Sequence, residues 1–233
     1  MKYDLSVVIL CYKAEDYVRN FVNQLKSELG AADINYEMVL VANYDNSKDK
    51  TPEIVHEIAS KESNITVVSE KKKGRMGWDM RSGLRAAKGN YIAIMDGDGQ
   101  MPVSDIVEVY TLIKSTSFDI VKTYRAYRYD GWHRGFMSYC YNVLFRLLFN
   151  PKFPLKDVNS KPKIISRSAY EKLHLVSNDW FTDAEIMIQA IEKNMKISQI
   201  ATVFYKNERR KTMVAFSTIF EFIYNLFYYR FFK

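Results

Sequence analysis

The residues of this chain best placed to do chemistry together are Asp96 and Asp98, two acids separated by Gly97 at the end of the apolar run Tyr91-Ile92-Ala93-Ile94-Met95. An apolar run of that length reads as a buried strand. Acids at its carboxyl end stand where open α/β sheets bind ligands. Two carboxylates at i and i+2 can turn toward one hard cation, because the glycine between them bends easily and adds no side chain. A diphosphate is the expected further ligand of such a cation. Surface turns carry the same pair often, so its position at a strand end is what gives it weight.

The elements before this pair explain how it would be held. Residues 5–11 are a β-branched apolar run, and Val18, Phe21, Val22, Leu25 and Leu29 follow at helical spacing until Gly30. A second strand over 37–42 empties into the polar loop 43–49, and Thr51-Pro52 reads as a helix start. A third strand over 64–69 runs into the basic, glycine-punctuated loop 71–77, and a helix over about 78–87 leads to the opening strand. This alternation predicts βαβ units in a mainly parallel sheet with right-handed crossovers. Three polar loops then share one end of the sheet, and their charges complement one another: Asp45 and Asp49, the cations of 71–75, and Asp96 with Asp98. Such a set suits a nucleotide diphosphate and its metal. Lys71 to Lys73 read equally as a solvated charge run, Asp49 and Thr51 as a helix cap, and Arg75 beside Gly74 and Gly77 as a group facing phosphate.

After the acidic pair we expect a helix over 103–114, a strand over 118–123, an aromatic and basic stretch over 124–134, and a strongly apolar helix over 136–149 ended by Pro151 and Pro154. A short strand near 163–166, a helix from about 167, a helix capped by Thr182 or Asp183, a strand over 197–205 and a basic loop over 207–212 follow. With 233 residues, 48% of them apolar, the chain has material for a real core. Its formal charge of +7 suggests phosphate-bearing partners: nucleotides, nucleic acid or an anionic membrane surface. Acids in two of the three site loops argue against nucleic acid. The absence of G-x-G-x-x-G after the first strand argues against a dehydrogenase. Cys11 and Cys140 support neither a disulfide framework nor a zinc cluster, so a reducing cytosol is expected. His56, His133 and His174 are isolated, and none is assigned to catalysis. The first residues lack the longer apolar core and cleavage site of a signal peptide, so export is not expected, and no stretch offers ~18 to 20 uninterrupted apolar residues.

Taken in order, the first strand, Ser47-Lys48-Asp49-Lys50-Thr51, the Gly-rich loop and Asp96-Gly97-Asp98-Gly99-Gln100 resemble the inverting family 2 glycosyltransferases of GT-A fold. The resemblance runs over nearly the whole chain. The second half, with Arg125, Arg134, the apolar helix, Asp157-Val158-Asn159-Ser160 and Phe181-Thr182-Asp183-Ala184-Glu185, is most similar to the polyprenyl-phosphate members, the dolichyl-phosphate mannose and glucose synthases. Three departures stand out: Leu10-Cys11-Tyr12-Lys13-Ala14-Glu15 where P-x-Y-N-E is usual, Tyr44 in place of the first paired acid, and Lys161-Pro162 in place of a glycine and an aromatic. The resemblance implies a UDP- or GDP-sugar donor, with Tyr12, Glu15 and Asp45 at its nucleoside end and Arg75 at its phosphates. It implies Mg²⁺ or Mn²⁺ on Asp98, with or without Asp96. Asp183 is implied as the acidic group facing the acceptor, or as an N-cap only; Asp157 as a second such acid, or as a turn acid only. Arg125, Arg134, Arg209 and Arg210 would bind an anionic acceptor or the diphosphate, since Arg suits bidentate phosphate contacts.

The expected architecture is a GT-A domain over 1–212, with a donor half at 1–123 and an acceptor half at 124–212, followed by an amphipathic helix over 213–233. That last helix is apolar nearly all round, about 25 Å long and interrupted by Glu221, Asn225 and Arg230, which suits a helix lying in a membrane interface better than one spanning it. A homodimer contact is the competing reading. The expected acceptor is a polyprenyl phosphate at the cytosolic membrane face. Two alternatives stand beside it: a glycosyltransferase extending a glycan or lipid-linked oligosaccharide through a hydroxyl, and a catalytically inactive nucleotide-binding or membrane partner protein.

Overall fold

A computed structural model describes residues 2–46, 48–207 and 216–233. The chain runs β1 (Leu5–Leu10), α1 (Tyr17–Ala31), β2 (Tyr36–Val41), α2 (Thr51–Ala59), β3 (Ile65–Val68), α3 (Met76–Ala86), β4 (Tyr91–Asp96), α4 (Asp105–Lys114), β5 (Ile120–Arg128), α5 (Trp132–Phe149), β6 (Lys163–Ser166), α6 (Arg167–Tyr170), α7 (Thr182–Glu192), β7 (Ile197–Phe204) and α8 (Phe216–Phe232). All seven strands form one sheet in the order β3-β2-β1-β4-β6-β5-β7, so both expected halves share a single sheet. β1 pairs in parallel with β2 and with β4, and β2 with β3. The strand order reverses at β1 and β4, and the crevice beyond their carboxyl ends is where such sheets take ligands.

Period-two alternation splits the core between the two sheet faces. Leu5, Val7 and Ile9 point to the side covered by α1, α2 and α4, where Phe21, Leu25, Val55, Ile106 and Val109 meet them. Val8 and Leu10 point to the side covered by α3, α5 and α7, with Met80, Leu84, Phe145, Ala184 and Ile188. Burial on both faces is why these strands read as unbroken apolar runs.

Three features of the observed elements go beyond the expected ones. β6 runs antiparallel to β4 and β5 within the otherwise parallel sheet. The segment between α5 and β6 stays at the carboxyl end, where Ser160 Oγ lies 2.7 Å from Thr123 Oγ1, so β6 enters from that end and must run backwards. β5 continues to Arg128, beyond the expected end at 123, because β7 gives it a partner along that whole length with a bulge between Arg125 and Tyr127. Thr182 is the first residue of α7, not its cap, and Asp183 lies inside the first turn. Asp49, by contrast, does brace the start of α2: the Thr51 amide donates to its carboxylate at 3.0 Å.

Candidate active site

The loop after β1 and the loop after β2 meet. Tyr12 donates its hydroxyl to Asp45 Oδ2 at 2.5 Å, and Lys13 Nζ lies 3.4 Å from the same oxygen. The Tyr12 hydrogen bond, with the nearby Lys13 charge, holds the Asp45 carboxyl below its ordinary pKa, so it faces the crevice as an anion. Lys72, from the loop after β3, places its ammonium over the Tyr12 ring at 3.9 Å from the centroid and pairs with the buried Asp79 of α3. Asn43 closes this group, donating to Asp79 and to Ser82 at 3.0 Å each. Glu15 meets α2 through its backbone, its amide donating to Thr51 Oγ1 at 3.0 Å.

The acidic pair stands at the end of β4 as expected. The Gly97 amide donates to Leu10 O at 3.0 Å, and a side chain at Gly97 would meet Ile9 and that same carbonyl at 3.1 and 3.2 Å. The glycine therefore lets the turn pack tightly against β1. The Gln100 amide donates to Asp98 Oδ1 at 3.1 Å. Asp96 is held differently: Lys161 Nζ lies 3.3 Å from its Oδ2.

Lys161 also reaches Asp183, at 2.8 Å from Oδ2, while Lys163 Nζ lies 2.6 Å from Oδ1. Asp183 is thus buried between two ammonium groups. Burial alone would raise its pKa; the combined pull of Lys161 and Lys163 outweighs it and holds the carboxyl ionised, below the usual range. Asp157, equally buried, accepts a bidentate pair from Arg125, Nε at 2.6 Å and Nη2 at 2.9 Å. There too burial raises and the guanidinium lowers, and the net result is a carboxyl well below its ordinary value. Lys122, fully buried beneath this pair, gives its ammonium protons to the carbonyls of Thr123 and Asp157, and burial pushes its pKa down to about 7.

The structure links Asp96 to Asp183 through Lys161 and joins Tyr12 to Asp45. The Arg75 guanidinium pairs with Glu221 of α8 at 3.1 Å. The glycines around it serve close packing. A side chain at Gly77 would meet Thr182 Oγ1 at 2.2 Å and Asp179 O at 2.5 Å, and the Arg75 and Gly77 amides are already bonded to Asn178 O and Asp179 O. Arg134 pairs with Asp130 at 3.3 Å, beside the Arg128–Asp130 pair. Arg209 and Arg210, like Ser47, lie outside the described residues.

Sequence reasoning passed over Lys122, Lys161 and Lys163 as site residues. The available signal was the pattern itself: Lys122 follows Ile120-Val121, and Lys163 precedes Ile164-Ile165, each a lysine inside a strand whose neighbours are core. A lysine in such a place must have a partner, because an unpaired buried charge is costly.

The two acids after β4 offer hard oxygen donors of the type Mg²⁺ or Mn²⁺ takes. Among the described residues, no group of three or more His, Cys, Asp and Glu is placed to hold a metal ion. Such a donor set fits a cation that keeps water and takes further oxygens from a bound diphosphate, as Mg²⁺ commonly does.

Residues 6–174 match the family model for glycosyl transferase family 2. A dolichyl-phosphate beta-glucosyltransferase of Trichomonas vaginalis is 26% identical over 193 residues, 78% of this chain and 59% of its own length. A dodecaprenyl-phosphate galacturonate synthase of Rhizobium johnstonii is 23% identical over 225 residues, 96% of this chain and 65% of its own length. The chain therefore spans less than two thirds of either relative. Among solved structures, glucosyl-3-phosphoglycerate synthase from Mycobacterium tuberculosis, in complex with Mn²⁺, UDP and phosphoglyceric acid, superposes with a TM-score of 0.71 at 16% identity, covering 98% of this chain and 78% of that one. At that identity the likeness establishes the fold, which is the expected GT-A arrangement.

Proposed function

This chain belongs to glycosyl transferase family 2, and on that premise we propose that it moves a sugar, with inversion, from a nucleoside diphosphate sugar onto a polyprenyl phosphate. The observation that carries the choice of acceptor is the double clamp on Asp183. A hydroxyl acceptor must lose a proton as it attacks, which calls for a base whose pKa is tuned upward. Asp183 sits between Lys161 and Lys163 and is tuned downward. A phosphate monoester arrives already ionised and requires no base. Asp183 then orients the site, and Asp157 holds the Arg125 guanidinium in one geometry beneath it. Arg134 is the nominated acceptor-side cation with the more open guanidinium, and the Tyr12–Asp45 pair forms the nucleoside end. Bound between Asp98 and the donor, Mg²⁺ or Mn²⁺ would supply the Lewis acidity that neutralises the departing nucleotide. The relatives bearing lipid-phosphate names support the same acceptor.

The decisive assay offers short-chain polyprenyl phosphate and free sugar acceptors side by side, against a panel of UDP- and GDP-sugars with Mn²⁺ or Mg²⁺. Product on the lipid phosphate alone is expected. Product on sugars alone would replace this reading with the hydroxyl-acceptor one, and tight donor binding with no turnover on any acceptor would replace it with a binding protein.

The exposed faces of α5 and α8 support a membrane-surface location for the acceptor. Among the described residues, no helix is long and apolar enough to cross a membrane. Yet α8 fully buries only Leu226 among its described side chains, where it packs on α5 and α7 through Tyr141–Phe222 and Phe181–Tyr229 ring contacts. Phe220, Tyr224, Phe227 and Phe231 are left exposed, and on α5 so are Trp132, at 83%, and Phe136. Aromatics of this kind beside Arg230 and Lys233 suit a peripheral seat on an anionic membrane. Phe227→Ser with Phe231→Ser is expected to weaken binding to phosphatidylserine-containing vesicles by about 30-fold or more, from the apolar area removed, with little change in Tm. Unchanged flotation with such vesicles would remove the membrane from this proposal and leave a protein contact.

A further inference from the structure

Away from the crevice, α3 and the segment after α6 enclose a cavity of about 160 Å³ whose lining includes Arg81, Leu84, Arg85, Tyr170, His174 and Leu175. It lies at the other end of the sheet from Asp96. β6 runs backwards and ends at Ser166, opposite Tyr91, so α6 begins where β4 begins, about 17 Å of strand from the acids. Arg81 and Arg85 are one turn apart on α3 and share a face, with the buried Leu84 beside them. The opposite wall is pinned to α7. Gln189 accepts from the His174 amide at 2.7 Å and donates to its carbonyl at 2.8 Å, and Glu185 accepts the amides of Val176 and Ser177 at 3.0 Å each. The charge in this cavity is uncompensated. Arg81 donates only through Nη1, to Val176 O at 2.8 Å and to Asn178 Oδ1; Arg167 donates to the carbonyls of Ala87 and Gly89. Arg85, exposed, sets its guanidinium carbon 5.7 Å from the centre of the Trp78 ring. Among the described residues, none of these three arginines pairs with an acid. Tyr170 registers the same field: burial raises its pKa, and the charges that act on it, those of Arg167, Arg85 and Arg81, all pull it back.

We propose that this cavity is a second binding site, for a phosphate-bearing anion held by the guanidiniums of Arg81 and Arg85 and by the His174 ring. A concave surface lined by cations of one sign focuses their field and draws an anion into it. Guanidinium groups supply the matching donors: Arg81 keeps Nε and Nη2 for a ligand, and Arg85 keeps its whole N–H edge. Leu84, Leu175 and the Tyr170 ring then lie against the less polar part of the same ligand. The wall of the cavity is also tied to α8, since Glu185 accepts the Tyr229 hydroxyl at 2.8 Å and lies 3.6 Å from Lys233 Nζ. A lipid headgroup at the surface on which α8 is seated and a soluble phosphate compound present the same chemistry to the two arginines.

The site stands whether or not the chain transfers sugar, and a local signal tests it. The sequence has three histidines, so the ring resonances of the full chain with isotope-labelled histidine separate His174 from His56 and His133, and His174→Gln gives the assignment. Inorganic phosphate, titrated at constant pH and ionic strength, is expected to shift the His174 signals saturably and to leave the other two in place. Arg85→Gln changes an exposed side chain and is expected to weaken that response about tenfold, as loss of one bidentate arginine contact would. Flotation with vesicles of phosphatidic acid, against phosphatidylserine vesicles of equal charge, then assigns the source. A loss in Arg85→Gln specific to phosphatidic acid identifies a headgroup; the same effect on both lipids, with the phosphate response intact, identifies a soluble phosphate compound. His174 signals that stay in place up to saturating phosphate, or that respond alike in wild type and Arg85→Gln, overturn the proposal.

Discussion

Asp98→Asn is expected to lower sugar transfer by about 10³-fold, in the range that loss of a metal's transition-state charge stabilisation produces, while moving Tm by less than about 2 °C. The asymmetry comes from how Asp98 is held. It stands just past the end of β4, partly exposed, and accepts the Gln100 amide at 3.1 Å, a hydrogen bond that the amide oxygen of asparagine can retain. The change removes one negative charge and little packing. Initial rates at saturating donor and Mn²⁺, read beside a thermal melt, check both halves of this expectation. A variant that transfers sugar within about threefold of wild type would mean that the ion, if used at all, is held elsewhere.

The acids after β2 and β4 were legible in the sequence because they follow unbroken apolar strands, and topology then brings such positions to one edge. β1 lies between β2 and β4, so residues far apart in the chain, such as Tyr12 and Asp45, are neighbours by register alone. What the sequence hid is the part of the site built by the reversed strand. A lysine before a short strand carries no sign of which neighbour it will face, and the alternation of strands and helices does not give the direction of β6. Only the antiparallel register puts Lys161 against Asp96 and sends Lys163 to Asp183. The same limit applies to Arg75. The glycines beside it allow the backbone before α7 to approach α3, and its guanidinium reaches Glu221 on a helix 146 positions later in the chain. Contacts of that separation follow from packing, which local spacing does not encode. Asp157 was legible as an acid but not as a partner of Arg125, to which both of its oxygens are bonded.

Asp183→Asn should reduce both transfer and stability, and the two losses can be separated. In the folded chain Asp183 is 1% exposed and pairs with Lys161 and Lys163 at once. Removing its charge leaves two buried ammonium groups short of a counter-ion, which costs about 3–5 kcal/mol by comparison with other broken buried pairs. Adding Lys163→Met withdraws one of those charges and is expected to recover a large part of that loss, without restoring transfer, because Lys161 would still lack its carboxylate partner. The pH dependence of unfolding carries the same signature. The folded-state pKa of Asp183 is depressed, so its contribution is present above the unfolded value of about 4 and fades as pH falls through the lower folded one. Wild-type stability should therefore drop on acidification below about pH 4, and Asp183→Asn should flatten that limb. Activity should follow a different curve. With no enzyme base to ionise, the rate at subsaturating acceptor should rise through about pH 6, where a phosphate monoester loses its second proton. A limb that stays fixed when the phosphate acceptor is replaced by its phosphonate, whose second pKa is higher, would return the proton transfer to the protein and Asp183 to the role of base.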